Sequence, residues 1–427
     1  MKHLLTLFVL LFTLTACHND TDEPEPANKQ AHRTVLVYMV AQNSLGGERW
    51  HRADSAEIMY GRQYIPDNDR MLVYVDDAQA PRLYRIARQW DKPQLIKQWS
   101  RDVCSTSPQQ FAEVVEMAKN DFPSNELALV MWSHADGWLP ATNKNYAHFE
   151  SAPTDPMQTP ASYGIDSGPQ GGMSDNGAQM DVTDLAAALQ RANVHCKYIL
   201  FDCCLMQNLE VDYALRHVTD YVIASPMSIA SPGAYYTHLM QNGLFAAEPP
   251  TIAQTYCQDV QADVQGVYSD YGIAISCVRT DRLQPLADAF KTALSATNLL
   301  QSPYADMTHV LAYQTYTNRY YYRPHNYDAL QATERIVPKP YRAEVVQRLK
   351  EAVVCHYATN RIWLGPYMWG YATLPIETDN YLAVSMFVPQ AVYDENASQC
   401  LYGNLNTAFM NTEWGKYVFG NCELEDY

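Results

Sequence analysis

The sequence predicts an α/β fold, a three-layer α/β/α domain with a mainly parallel central sheet, followed by an α+β C-terminal region. Three observations predict it. Apolar, β-branched runs recur through the first two thirds of the chain, and they are continuous rather than alternating, as in strands buried on both faces. Helical segments fall between them, the order expected of a parallel sheet covered by helices on both faces. The chain has 427 residues, 47% hydrophobic and only 18% charged, enough for a large globular core and more than one compact unit.

The elements follow in order. Thr34–Ala41 (TVLVYMVA) reads as the first core strand, with a helix near Arg49–Tyr60. Arg70–Val75 (RMLVYV) is the next strand, ending at Asp76-Asp77, and Arg82–Ile86 with Gln94–Trp99 forms a small hairpin. Ser107-Pro108 opens a helix to about Asn120, serine as cap and proline in the first turn. Glu126–Trp132 (ELALVMW) is a buried strand ending at Ser133-His134. Residues 135–180 are rich in Gly, Pro, Ser, Asn and Asp and read as one long irregular connection, the kind that carries function or moves. Thr183 caps a helix to about Ala192, and Lys197–Phe201 (KYILF) is a strand ending at Asp202. Leu205–His217 reads as a helix, Asp220–Ala224 and Gly272–Val278 as strands, and Thr251–Gln265 and Asp281–Ala296 as helices. Beyond Leu299 the pattern loosens: a Tyr-rich stretch (Tyr313–Tyr322), a helix near Tyr341–Cys355, and a strand Tyr381–Val388 stopped by Pro389. No internal repeat is evident.

Residues 1–16 read as a signal peptide: Lys2 and His3, an apolar run Leu4–Leu14, then small residues. The run is too short for a mature membrane span. Leu14-Thr15-Ala16-Cys17 resembles a bacterial lipobox, which implies cleavage before Cys17 and acylation of its thiol. His18–Ala31 is polar, acidic and proline-containing and reads as a tether. The expected organisation is therefore a signal peptide (1–16), a lipidated cysteine and tether (17–31), an α/β domain (32–298) and a C-terminal region packed on it (299–427). This predicts an exported protein anchored to the bacterial outer membrane, on its periplasmic face or at the cell surface. The formal net charge of −17 and pI of about 5.1 make nucleic acid an improbable partner. A monomer is expected.

Nine cysteines follow Cys17, widely spaced and without a CxxC pair, so no structural zinc site is expected. Cys203 and Cys204 are adjacent, too cramped for an ordinary bridge and lacking the geometry of a thiol oxidoreductase. The chemistry gathers instead at two strand ends, Ser133-His134 and Asp202-Cys203-Cys204, where open α/β sheets place their sites. A cysteine nucleophile needs a base to populate thiolate, because a free thiol titrates near about 8.5. A histidine at a neighbouring strand end can supply it. Backbone N–H groups after His134, at Ala135, and at Cys204 can receive the oxyanion. A helix beginning at Leu205 would aim its positive end at the thiolate. On these residues alone, a structural histidine and a core cysteine remain open alternatives.

The local words are more specific. Val130–Trp138 (VMWSHADGW) resembles the histidine motif of the clostripain family, and Ile199–Glu210 (ILFDCCLMQNLE) its nucleophile motif. Val37–Leu45 (VYMVAQNSL) and Asp220–Pro226 (DYVIASP) resemble its first strand with the following turn and the strand after the nucleophile; Val384–Pro389 and Glu413-Trp414 are weaker matches. The resemblance runs from about residue 33 to 420. It implies a caspase-like fold and a cysteine endopeptidase cleaving after Arg or Lys. His134 is then general base and acid, Cys204 the nucleophile, two residues beyond the aspartate, and Asp202 the acid that receives a basic P1 side chain. Cys203 is left as a small core residue, and His148, His195 and His238 as exposed, structural or groove-wall residues. The resemblance also implies that the 135–180 linker can be cut, and Lys144 is its only Lys or Arg. No cofactor is expected. Some members of the family respond to calcium, but no DxDxDG loop occurs here.

The chain departs from the family pattern. Ala135 stands where glycine is usual, Gln42 where aspartate is common, and Ser225–Met240 holds no acid that could assist Asp202. The missing second acid leaves Asp202 alone and loosens the expected Arg or Lys preference. The altered histidine loop and the Tyr-rich C-terminal third favour the competing reading, a non-catalytic surface lipoprotein that binds peptides or glycans on the same fold, while the presence of both His134 and Cys204 disfavours it.

Overall fold

The computed structural model describes residues 29–144, 146, 162–264, 272–295, 306–314, 325–367, 370–375, 380–395, 397–399 and 403–420. The expected signal peptide, Cys17, most of the expected tether, His148 and most of the Tyr-rich stretch lie outside the described residues. The strands are β1 (Ala31–Val40), β2 (Arg70–Asp76), β3 (Arg82–Ile86), β4 (Gln94–Gln98), β5 (Ser124–Trp132), β6 (Tyr163–Asp166), β7 (Ala178–Met180), β8 (Cys196–Asp202), β9 (Tyr221–Ala224), β10 (Ala274–Arg279), β11 (Tyr327–Asp328) and β12 (Val353–Ala358). The principal helices are α1 (Ser44–Gly47), α2 (Trp50–Gly61), α3 (Pro108–Asn120), α4 (Val182–Arg191), α5 (Leu209–Leu215), α6 (Tyr236–Asn242), α7 (Pro250–Val264), α8 (Leu283–Ser295), α9 (Ala329–Ile336) and α10 (Lys339–Ala352).

Nine strands form one sheet in the order β12-β10-β9-β8-β5-β1-β2-β3-β4. Its centre is parallel, from β2 through β1, β5 and β8 to β9. Antiparallel strands finish both sides. The continuous apolar run of β1 is divided between two cores. Leu36, Tyr38 and Val40 face a layer that includes α3, α4, α5 and α8. Val35, Val37 and Met39 face α2, α6 and α7. That two-sided burial is why β1 reads as unbroken hydrophobic sequence.

Four expectations change. The 135–180 stretch is not wholly irregular: β6 and β7 pair within it, and Ala135 bridges to Tyr163. The helix expected from Leu205 begins at Leu209 instead, because Asn208 caps it, its side chain accepting from the Val211 N–H. Leu205 itself has φ +63°, so no helix N-terminus follows the cysteine directly. The helix expected to reach Cys355 ends at Ala352 and runs into β12, an edge strand of the central sheet. The strand expected over Tyr381–Val388 shrinks to Ser385–Met386. Its backbone N–H groups go to scattered partners: Leu382 to Asp328, Ala383 to the Tyr313 hydroxyl, Ser385 to Gln207 O and Phe387 to Glu210. The segment makes no continuous ladder, and Ala383 within it takes a left-handed backbone at φ +51°.

This C-terminal segment explains part of the nucleophile motif. Asn208 Nδ2 donates to Leu205 O at 2.6 Å, Leu209 enters the core, and buried Glu210 accepts the Phe387 N–H at 2.9 Å. Trp414 is fully buried, edge-on to Tyr213 and Phe290. Among the described residues no helix is long and apolar enough to cross a membrane.

Candidate active site

The register of two neighbouring strands assembles the site. Trp132 of β5 pairs in parallel with Asp202 of β8. His134 and Cys204 therefore both lie two residues beyond the same paired position, at the carboxyl edge of the sheet. Ser133 anchors its strand end: its hydroxyl donates to Val40 O at 2.8 Å and accepts from Asn43 Nδ2 and the Ile165 N–H. Buried Asn43 caps α1 and ties it to Val40 and Ile165. The loops after His134 and Cys204 touch at Gly137. Its φ is +69°, and a Cβ there would lie 2.6 Å from Leu205 O, so only glycine fits without displacement.

Two residues that the sequence reading missed hold the imidazole. Ser44 Oγ lies 3.0 Å from His134 Nε2 and Asp175 Oδ1 lies 3.3 Å from it. Asp175 also accepts the Ser44 N–H at 2.9 Å. Burial would raise the Asp175 carboxyl, but His134 and the Ser44 donors outweigh it and leave it below its ordinary value. No hydrogen bond joins His134 to Cys204 in this arrangement. The Gly164 N–H donates to His134 O and the Asp136 N–H to Ser162 O, which leaves the Ala135 N–H outside that ladder.

Cys204 occupies a drier niche. Its half-buried Sγ accepts the Ile229 N–H at 3.3 Å. Leu205 N–H donates to Met227 O and Gln207 N–H to Ser225 O, which fixes the turn against the segment after β9. Burial lifts the thiol to about 11; the Ile229 N–H opposes this, while Asp136 and Asp202 add to it. Cys204 is thus a neutral thiol at pH 7 in this arrangement. Cys203 turns the other way, buried in the core, its thiol 3.6 Å from Met131 O.

Asp202 lies beneath the site, 5% exposed, accepting from Tyr256 Oη at 2.8 Å, Tyr236 Oη at 2.9 Å and the Ala234 N–H at 3.1 Å. Burial raises its carboxyl; the two tyrosines and Ala234 act against the rise. Beside Cys204 lies a narrow cleft lined by Ile229, Pro232, Gly233, Tyr235, Val260 and Asp263 among others. Asp202 is not on its surface, but Gly233 divides the two: a Cβ there would stand 3.0 Å from Asp202 Oδ1. The acid on the wall is Asp263 of α7, hydrogen-bonded to the Tyr235 hydroxyl. Asp263 stands on α7, outside the Ser225–Met240 stretch, and only the tertiary fold brings it to the cleft.

The remaining candidates are placed as follows. Gln42 is buried and donates to Asp102 at 2.8 Å. His238 pairs with Asp259 at 2.7 Å and His195 with Asp220 at 2.8 Å. The Lys144 ammonium is held by Asp181 and by Asp184 at 2.8 Å. Among the described residues no group of three or more His, Cys, Asp or Glu side chains is arranged to hold a metal ion.

Comparison with known proteins agrees with this architecture. The clostripain family model matches residues 37–391. A secreted C11 cysteine protease from Bacteroides thetaiotaomicron, solved with an irreversible peptide inhibitor, is similar at 27% identity and TM-score 0.72, over 91% of this chain and 99% of that one. An inactive zymogen C11 protease from Parabacteroides distasonis shares the fold at 24% identity and TM-score 0.70, over 91% and 98%. No curated protein matches the chain. With the family matched over most of its length and a protease of the same architecture beside it, the chain belongs to the clostripain family and is a cysteine-type peptidase.

Proposed function

We propose that the chain is an endopeptidase that works through a His134–Cys204 dyad and prefers Arg or Lys at P1. The observation that carries this is the shared β5–β8 register, which brings both residues to one sheet edge beside a cleft. In the proposed reaction His134 takes the Cys204 proton as sulfur attacks the scissile carbonyl carbon. The Ala135 and Cys204 N–H groups receive the oxyanion. The imidazolium then protonates the leaving amine, and water, deprotonated by His134, hydrolyses the thioester. A thiol titrating near about 11 makes the base indispensable. This chemistry needs no cofactor.

The cleft supports the P1 preference. Ile229, Pro232 and Val260 offer apolar walls for a long aliphatic stem, and Asp263 offers a carboxylate for its charge, with Asp202 below the floor. Export and acylation of Cys17 remain part of the proposal; the similar secreted protease supports export. Cleavage after Lys144 is retained too, with the condition that its ammonium must first leave Asp181 and Asp184.

Hydrolysis of Arg, Lys and neutral P1 peptides by wild type and single variants tests the scheme. Cys204→Ala and His134→Ala are expected to lose activity by roughly 10³-fold or more, while Cys203→Ala keeps it. Asp263→Asn is expected to raise KM for Arg and Lys substrates and to spare neutral ones. Activity surviving Cys204→Ala but lost in folded Cys203→Ala refutes the nucleophile assignment.

A further inference from the structure

Two cysteines far from the dyad face each other across the sheet. Cys277 of β10 and Cys355 of β12 are direct partners in the antiparallel register, beside a local irregularity at Cys277/Val278. Directly opposed residues of an antiparallel pair have Cα atoms about 4.5–5.5 Å apart. That span falls within the about 4.4–6.8 Å a disulfide requires. Both side chains lie on the same face of the sheet, Cys277 within its core and Cys355 packed against that core, with the Cys355 thiol donating to Pro250 O at 3.7 Å. We propose that Cys277 and Cys355 are a redox-active pair that closes to a cross-strand disulfide, fastening the edge strand β12 to the sheet.

The two thiols differ in the way such a pair requires. Cys277 is fully buried, whereas Cys355 is half-buried on an edge strand, where an oxidant can reach it. The neighbouring Cys277 thiol holds the Cys355 thiol below its ordinary value in spite of burial, while burial pushes Cys277 up. Cys355 is therefore the attacking sulfur and Cys277 the resolving one. Cys257 shows the contrast, a buried thiol raised to about 12 by desolvation alone.

The oxidant is a disulfide, either a small-molecule one or that of a thiol-oxidising protein. The Cys355 thiolate attacks one of its sulfurs; that S–S bond breaks, one thiolate leaves and a mixed disulfide remains. Cys277 then gives up its proton and attacks Cys355 Sγ, expelling the second thiolate. The two protein thiols lose two protons and two electrons in all, and the oxidant disulfide becomes two thiols. The bond encloses α8, α9 and α10 in a covalent loop, which restricts the unfolded chain and raises the cost of detaching β12.

The test is oxidation of the full chain with glutathione disulfide, then denaturing alkylation, peptide mapping and thermal melting, each against a reduced sample. A peptide joining Cys277 to Cys355 is expected, with a loss of two hydrogens in mass. The oxidised chain should melt several degrees higher, and Cys355→Ser should remove both effects without changing hydrolysis by the reduced enzyme. Mapping of the wild type decides the matter even if that variant folds poorly. Alkylation of both cysteines after oxidation overturns the proposal. So does a stable glutathione adduct on Cys355, or a bond from either cysteine to Cys257.

Discussion

The two halves of the site are held in different ways. On the His134 side the imidazole is one-fifth exposed and is positioned by side chains, Ser44 from α1 and Asp175 from the segment between β6 and β7. On the Cys204 side the sulfur is positioned by backbone: the Ile229 N–H, the Met227 carbonyl that receives Leu205, and Leu205 at φ +63°. The base is thus set by replaceable groups, and the nucleophile by chain geometry that is costly to alter. Point substitutions around His134 should change how well the base works. Those around Cys204 should change chiefly the field in which the thiol ionises.

The largest expected effect is on the histidine side. Asp175→Asn should lower kcat by roughly tenfold to a hundredfold with KM little changed, part of the about 10²–10⁴-fold that general acid–base catalysis contributes. Asp175→Glu should recover some of the loss, which a merely structural residue would not show. If the Asn variant raises KM and spares kcat, Asp175 does not position the base. A smaller effect is expected on the cysteine side. Asp136 helps to hold the thiol near about 11, so Asp136→Asn should lower its titration point and speed alkylation by a small neutral reagent severalfold at pH 8. An unchanged rate would remove the field argument.

The smallest effect is on stability, and it tests whether buried acids beyond the dyad share the dry environment of Cys204. Burial raises Glu210 to about 8, and Asp166 and Asp328 to about 6. Between their ordinary values and these raised ones, the folded chain keeps protons that the unfolded chain has released. Stability therefore falls as pH rises through that window. The melting temperature should decline from about pH 5 to about pH 8, and Glu210→Gln should flatten the slope. Below about pH 4 the opposite sign takes over, because Asp77, lowered to about 2, and Asp175 must then be protonated. A melting temperature that rises from pH 5 to pH 8 would show that these carboxyls are hydrated.

How legible each part was in the sequence follows from how locally it is determined. β1, β2, β5 and β8 are two-sided apolar runs, and a period-free hydrophobic stretch announces them. β6 and β7 are three to four residues long in a Gly- and Asp-rich stretch, and pairing across the loop makes them strands. β12 was hidden because α10 runs into it with no Gly or Pro between them. His134 and Cys204 stand at strand ends within specific words, so they were legible. Asp175 and Asp263 were not: each reaches the site by tertiary folding, one from an acidic loop and one from a helix otherwise read only as core cover. The helix expected after Cys204 failed on one residue, Asn208, whose cap delays the start to Leu209.

The pairing of Trp132 with Asp202 carries a thermodynamic consequence. Bringing a base and a nucleophile together costs translational and rotational entropy, and a high effective molarity arises where that cost has been met in advance. Here the hydrogen-bonded ladder between Leu127–Trp132 and Cys196–Asp202 sets the spacing of the two strand ends as the sheet forms. The alignment is therefore a property of the folded sheet, not of the covalent path from residue 135 to residue 195. Changing the length of that path should alter access and the supply of Asp175, while the separation of the strand ends stays as stiff as the ladder itself.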